Sequence, residues 1–287
     1  MRRIVYFILL GMFMVMLMRW FAGSLFLNAP DRFQIVVYGR DSRIYSIDTR
    51  GTSHYIIHFA PDEKIGVPGG YGFYRVGALG KLVSLEKDPS ILTKAFSVAS
   101  STFVTRSFYP PGDELYYGGQ VSRDVGMPAA TDLLKNPSNA NVFDRLYLFL
   151  HFLRVKKSDY LLLRSRGDSQ DKNGARVFVP ENFSKETEGF LYNSTYRRER
   201  QTVQIIYTKS YNTARTIANI LEGNGIRVVD ITQSEKNNSN CVISGGEHTK
   251  TAVMLADFFA CPLKPGKNEI SDILFDIRGI EDMWNIK

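Results

Sequence analysis

Three successive hydrophobic patterns run along the chain. The first is an unbroken apolar run from Ile4 to Met18, preceded by Arg2 and Arg3 and closed by Arg19, with Trp20, Phe21 and Leu25 to Leu27 beyond it. The second begins near Arg32 and alternates β-favouring stretches with polar breaks. Phe33 to Tyr38, Arg43 to Asp48 and Tyr55 to Phe59 are rich in Ile, Val and Tyr, with Gly, Asp and Ser between them, and such stretches predict strands joined by tight turns. The period then lengthens to three and four residues. After Pro89-Ser90, Leu92, Ala95, Phe96, Ala99 and Phe103 define one apolar helix face, and Val142, Leu146, Phe149, Leu150 and Leu153 define another. Both faces are expected to pack on the sheet. Between the two helices, Pro110 to Pro128 is rich in Gly, Pro and Tyr and predicts an irregular loop of the kind that carries binding residues; Arg164 to Asn173 predicts a polar turn.

The third pattern is the most regular. Thr202 to Thr208 reads as a strand, Tyr211 to Gly223 as a helix, Ile226 to Thr232 and Asn240 to Ser244 as strands, Thr249 to Cys261 as a helix and Ile273 to Ile277 as a strand. The order is βαββαβ, a split βαβ arrangement. Ala214, Ile217, Ala218 and Leu221 on one helix, and Ala252, Leu255, Ala256 and Phe259 on the other, give matching buried faces, with Gly225 and Pro262 as stop signals. The polar stretch Ser184 to Gln201, with Arg197, Arg198 and Arg200, reads as a domain boundary. The expected organisation is therefore a membrane-directed start over 1–29, an α/β (α+β) mixed-sheet domain over 30–183, a linker over 184–201 and the small βαββαβ domain over 202–287.

The opening run is short for a span, 15 residues against roughly 20 for the hydrocarbon core. Arg19 can snorkel to the headgroups beside Trp20, or face a partner helix if the span continues to Leu27. A cleaved signal peptide competes, with small residues at Ala22-Gly23-Ser24. We adopt a retained single-pass anchor. Arg2 and Arg3 place its amino terminus in the cytoplasm by the positive-inside rule, so both folded domains are expected outside it. Val142 to Val155 is too short and too charged to be a second span.

Composition narrows the chemistry only partly. A 44% hydrophobic chain of 287 residues is no disordered polypeptide, and a net charge of +7 favours anionic partners. Two cysteines and four scattered histidines argue against a metal held by His and Cys. Asp41, Lys64, Arg75, Lys81 and Arg145 are candidates for a site for pyrophosphate or a glycan phosphate; solvated surface charge is the preferred reading of the same residues. Asp41, Asp62 and Glu63 offer oxygen ligands for Mg²⁺, although turn carboxylates more often serve as caps. Gly69 to Gly72 reads as a plain turn beside Pro68, without the spacing of a nucleotide loop. Cys241 and Cys261 lie where a bridge is within reach; two buried thiols are the slightly preferred alternative.

Residues VQIIYT, NTARTIANILEGNGI, RVVDI, TAVMLADFFACPL and SDILFDIRG with Glu281-Asp282 together resemble the carboxy-terminal domain found in LytR/CpsA/Psr (LCP) envelope proteins of bacteria. Upstream, Asp41-Ser42, the stretch YIIHFAPDEKIGVPGGYGFYRVGAL and DRLYLFLHFLRVKK are similar to the catalytic domain of that family. The resemblance implies transfer of undecaprenyl-phosphate-linked glycopolymer onto peptidoglycan. It also implies a Pro-Arg-Asp-Thr motif where this chain has Pro61, Asp62, Glu63 and Lys64, so a carboxylate replaces the arginine that would meet a lipid pyrophosphate. Of the family's Arg-Gln helix pair only Arg145 is matched.

The expected function is thus a degenerate, non-catalytic envelope protein that binds or scaffolds peptidoglycan, an anionic glycopolymer or other envelope proteins, and that carries no cofactor. An active LCP-type phosphotransferase, with Mg²⁺, is the alternative. Nucleic acid is a weaker third: the basic βαββαβ module shares its order with RNA-binding folds, yet Ile226 to Thr232 and Asn240 to Ser244 lack the stacking aromatics.

Overall fold

The computed structural model describes residues 2–51, 53–118, 126–164, 169–170, 174–235 and 239–287. Parts of the expected loop Pro110 to Pro128 and of the expected turn Arg164 to Asn173 lie outside the described residues. Helix α1 (Arg2–Ala22) continues through Arg19, and one turn, α2 (Leu25–Asn28), follows the break at Gly23-Ser24. The segment Leu9–Asn28 is long and apolar enough to cross a membrane, with a mean hydropathy of 1.7 and little of it covered by the rest of the chain.

Strands β1 (Arg32–Val37), β2 (Ser42–Asp48) and β3 (His54–Phe59) form the expected antiparallel meander, followed by a hairpin of β4 (Lys64–Val67) and β5 (Gly72–Arg75). Helices α3 (Leu79–Glu86) and α4 (Ser90–Ser100) lead into β6 (Val104–Phe108). Then come α5 (Ala130–Leu134), α6 (Val142–Arg154) and β7 (Tyr160–Leu163). Short strands β8 (Ser169–Gln170) and β9 (Arg176–Val177) join β4 and β5 in a second sheet. The main sheet has the order β6-β1-β2-β3-β7; β6 is parallel to β1 and β7 to β3, so every strand but β2 runs the same way.

Alternation along these strands feeds two cores, one on each face. Val36, Ile44 and Ile57 meet α3 and α4 on one side; Phe33, Ile35, Tyr45 and Ile56 meet Leu133, Leu148 and Leu25 on the other. Two expectations about helices are corrected. The first is Phe103: α4 ends at Ser100, Ser101 turns left-handed at φ 52°, and Phe103 is carried into the core of the following domain against Phe258. The second is the face of α6. Val142, Leu146 and Leu153 point outward, while Asp144 and Leu148 are buried. The reason is Asp144, whose carboxylate accepts from the Leu25 backbone N–H at 2.8 Å and from Arg106 Nε at 2.9 Å and so fixes the inward face.

Helices α7 (Pro180–Glu186) and α8 (Ser194–Glu199) take up half of the stretch read as a linker. It is no loose tether, since Thr195 and Tyr196 are buried and Asp31 accepts from the Ser194 and Thr195 hydroxyls at 2.5 and 2.6 Å. Beyond it lie β10 (Thr202–Tyr207), α9 (Tyr211–Gly223), β11 (Arg227–Gln233), β12 (Val242–Ser244), α10 (Lys250–Phe259), β13 (Leu263–Lys264), β14 (Ile273–Asp276) and α11 (Glu281–Trp284). The expected βαββαβ order is present with one added short strand, β13, in a sheet ordered β11-β10-β14-β12-β13. Gly225 takes φ +86° just after α9, the left-handed stop expected of it. Serine and threonine caps open the two longer helices: Ser210 accepts from Thr213 N and Thr249 from Ala252 N.

Candidate functional site

Because four of five strands in the main sheet point one way, their carboxyl ends gather along one edge, where open α/β sheets place ligands. Asp41 lies there, just before β2. Its carboxylate is ion-paired with Arg43 and hydrogen-bonded to His58 Nε2, and Arg43 and His58 are themselves directly opposite across β2 and β3. Arg43 and His58 are buried; the Asp41 side chain is 48% exposed. Burial pushes the His58 imidazole below its ordinary value despite the neighbouring Asp41 carboxylate, and Arg43 and Arg164 push the same way. The described end of the Pro110 to Pro128 loop closes over this group. The Tyr45 hydroxyl donates to the Gly126 carbonyl at 2.8 Å, and Gly126 has no room for a side chain because the Arg43 guanidinium lies against it.

The five residues singled out from sequence do not form one cluster of contacts. Lys64 and Arg75 are brought together, directly opposite across β4 and β5. Lys81 is exposed on α3, next to Gly80, whose N–H donates to the buried Tyr38 hydroxyl at 2.8 Å. Arg145 is committed elsewhere. Its Nη1 donates to the carbonyls of Leu133, Leu134 and Asn136 at 3.1, 3.3 and 2.8 Å, its Nε to Ala140 at 3.4 Å, and its guanidinium lies 5.7 Å from the Phe108 ring centroid. It closes the end of α5. Arg43 and His58 were missed from the sequence because each sits inside an apolar strand, and only the pairing of β2 with β3 shows that they share a face with Asp41.

The oxygen ligands considered for Mg²⁺ do not fit together. Asp41 turns to Arg43 and His58, while Asp62 accepts from the Gly118 N–H at 2.8 Å. Among the described residues no three His, Cys, Asp or Glu side chains converge on a point. Cys241 and Cys261 are joined in a disulfide with α-carbons 5.3 Å apart, which corrects the slight preference for two thiols. The bridge ties the start of β12 to the end of α10 because β12 and β13 pair in parallel on either side of it.

A second concave site lies where the two domains meet. A cleft of about 430 Å³ is lined by Lys185, Tyr192, Arg197 and Arg227, with Glu188 and Glu222 on its walls. Arg197 stands 5.2 Å from the Tyr192 ring centroid. Burial raises the Glu222 carboxyl above its ordinary value against the opposing pull of Arg215. Lys185, Arg197 and Arg227 are exposed. In the sequence Arg197 stands out only as part of a polar boundary, since the cleft exists only once α7, α8 and α9 are packed together.

No protein-family model matches the chain, and no curated protein matches it. Among solved structures it is similar to Bacillus subtilis TagV, with 8% identity and a TM-score of 0.37 over 57% of this chain and 97% of that one. It is also similar to B. subtilis TagT, with 11% identity and a TM-score of 0.37 over 56% of this chain and 89% of that one. A third is a LytR-CPS2A-psr family protein, YwtF (TagT), with bound octaprenyl pyrophosphate lipid, at 9% identity and a TM-score of 0.36 over 56% of this chain and 89% of that one.

Proposed function

We propose that the chain is a single-pass membrane protein of the bacterial cell envelope, its amino end cytoplasmic and its two folded domains outside, which binds an anionic cell-wall polymer without turning it over. The observation that carries this reading is the interdomain cleft, where Lys185, Arg197 and Arg227 share the lining with Tyr192 and outnumber Glu188 and Glu222. Three exposed cations suit a polyanion, and a tyrosine ring suits the apolar face of a sugar. The commitment of Arg145 to main-chain carbonyls and of Asp41 to Arg43 supports the absence of turnover, because the charges a diphosphate needs are already spent inside the protein. The polymer class comes from the sequence resemblance to LytR/CpsA/Psr proteins.

The test is co-sedimentation of the detergent-solubilised full chain with purified cell wall. The double variant Lys185→Glu/Arg227→Glu is expected to bind at least about tenfold more weakly, the loss of two charge contacts, while Arg75→Glu on the β4–β5 hairpin retains binding. Equal retention of the double variant and the parent sinks the reading.

One observation favours turnover instead. Arg43 is buried beside Asp41 and His58 at the sheet edge, and among the described residues its Nε has no hydrogen-bond partner. A guanidinium from β2 then stands in for the one missing near Pro61. Release of phosphate-linked product from a polyprenyl-pyrophosphate glycan, abolished by Arg43→Ala and by Asp41→Asn, would establish that alternative.

A further inference from the structure

The outward face of α6 is apolar along its length. Val142, Leu146 and Leu153 are 64%, 43% and 66% exposed, and half-buried Phe149 and Leu150 complete a stripe at helical spacing. An exposed stripe of this kind on a folded domain marks a surface that something covers.

Two features say what covers it. The first is continuity with the spanning segment. Phe21 at the end of α1 packs edge-on against Phe143 at 5.3 Å, Phe26 packs against Tyr147 at 5.4 Å, and the Leu25 N–H is held by Asp144 at 2.8 Å. The start of α6 is therefore fixed to the place where the chain leaves the hydrocarbon, and Phe26 and Leu27 beside it are exposed as well. From there α6 runs across the sheet face, from Asp144 beside Arg106 of β6 to His151 beside Tyr160 of β7. Its 13 residues span about 20 Å. The second feature is charge. Arg154, Lys156 and Lys157 are exposed where the stripe ends, and Lys135 is exposed at the end of α5; these cations outnumber nearby Asp159, whose carboxylate accepts from the Lys156 backbone N–H at 3.1 Å.

We propose that α6 is an interfacial helix whose apolar stripe lies in the headgroup region of the leaflet at the end of α1, with Arg154, Lys156 and Lys157 on anionic headgroups. Helices with an apolar face and flanking cations lie about 5–10 Å into that boundary, and cations beside it strengthen attachment to an anionic surface. The domain then sits flat on the membrane, with the α6 face of the sheet toward lipid, and does not swing on a neck. This rests on α1 being the anchor, and the test reads that separately.

The experiment uses the full chain in nanodiscs containing phosphatidylglycerol, with single spin labels at Leu146→Cys, Leu153→Cys, Met14→Cys and Lys264→Cys; the native cysteines are occupied in their disulfide. Labels at 146 and 153 are expected to be more accessible to oxygen than to a soluble nickel chelate, as the label at 14 is, whereas the label at 264 shows the reverse. Chelate accessibility at 146 and 153 equal to that at 264, with 14 still immersed, overturns the interfacial helix and leaves the anchor standing. A water-accessible label at 14 overturns the anchor itself and the proposal with it. Low accessibility to both reagents at 146 and 153, with spin–spin broadening, identifies a second copy of the chain as the occupant and also overturns it. Arg154→Glu/Lys157→Glu is expected to reduce immersion at 153 on anionic nanodiscs and to change nothing on zwitterionic ones.

Discussion

His151 shows how much one side chain's surroundings decide. It sits on the inner side of α6, edge-on to His54 at 5.2 Å, with Nε2 3.1 Å from the Tyr160 hydroxyl. Burial first, and the neighbouring His54 second, push its pKa down to about 4. Because the folded value lies below the unfolded one, near 6.5, the unfolded chain takes up the proton first as pH falls. The contribution is complete above about pH 6.5 and is lost down to about pH 4, on the order of 2 kcal/mol once residual solvent contact is allowed for. Urea unfolding of the full chain in detergent is expected to show this decline, and His151→Phe is expected to flatten it by up to about 1.4 kcal/mol per pH unit. A parent and variant with the same slope would show that the imidazole is solvated in the native state. None of this was legible in the sequence, where His151 is one histidine in an apolar helix; its tuning comes from β3 and β7, which approach only in the folded sheet.

At the scale of elements, the sequence was most readable where a segment is long and its period holds. Strands β1 to β3, helices α4 and α6 and the βαββαβ order of the second domain follow from their spacing alone. The strands that escaped, β4 to β9 and β13, are two to five residues long, and β6 reads Val-Thr-Arg-Ser-Phe, too polar to signal a strand. Periodicity also finds an apolar stripe without saying which way it faces, and the buried Asp144 turns the stripe of α6 outward. The candidate site suffered in the same way: Arg145 was selected for its charge, and its work is to end a helix. Four main-chain carbonyls at the end of α5 and in the following turn depend on it. Arg145→Ala is expected to cost about 1–2 kcal/mol in unfolding free energy, because partly buried acceptors lose their donor, while cell-wall binding by the remaining folded protein stays unchanged. A variant of parental stability that fails to bind would return Arg145 to the site.

At the scale of the whole molecule, the two domains hold each other too closely to behave as beads on a tether. Phe103 from the first fills the core of the second. Glu199, at the end of α8, caps the first turn of α10 through the Lys250 and Thr251 N–H groups at 2.8 Å each. The closing residues return the other way, with the Asn285 carbonyl accepting from Gly70 N–H at 2.8 Å and Ile286 packed against Gly66. Asp31 binds both sides just after α2: burial opposes its ionisation, yet the hydroxyls of Ser194 and Thr195 and the guanidinia of Arg50 and Arg198 outweigh that and hold the carboxyl below its usual range. These contacts predict one cooperative transition. With Trp20→Phe leaving Trp284 as the sole reporter of the second domain, its fluorescence and the far-ultraviolet circular dichroism of the whole chain are expected to change at the same denaturant concentration. Gly223→Ala supplies the contrast. A β-carbon there would come within 1.9 Å of the Ser101 carbonyl, between α9 and the end of α4, so the methyl pushes these two helices apart and loosens the contact between the domains without removing any buried side chain. Its transition is expected to split into two, with the fluorescence and dichroism midpoints separating. If the parent already unfolds in two steps, the domains are energetically independent and the interdomain cleft is not a rigid site.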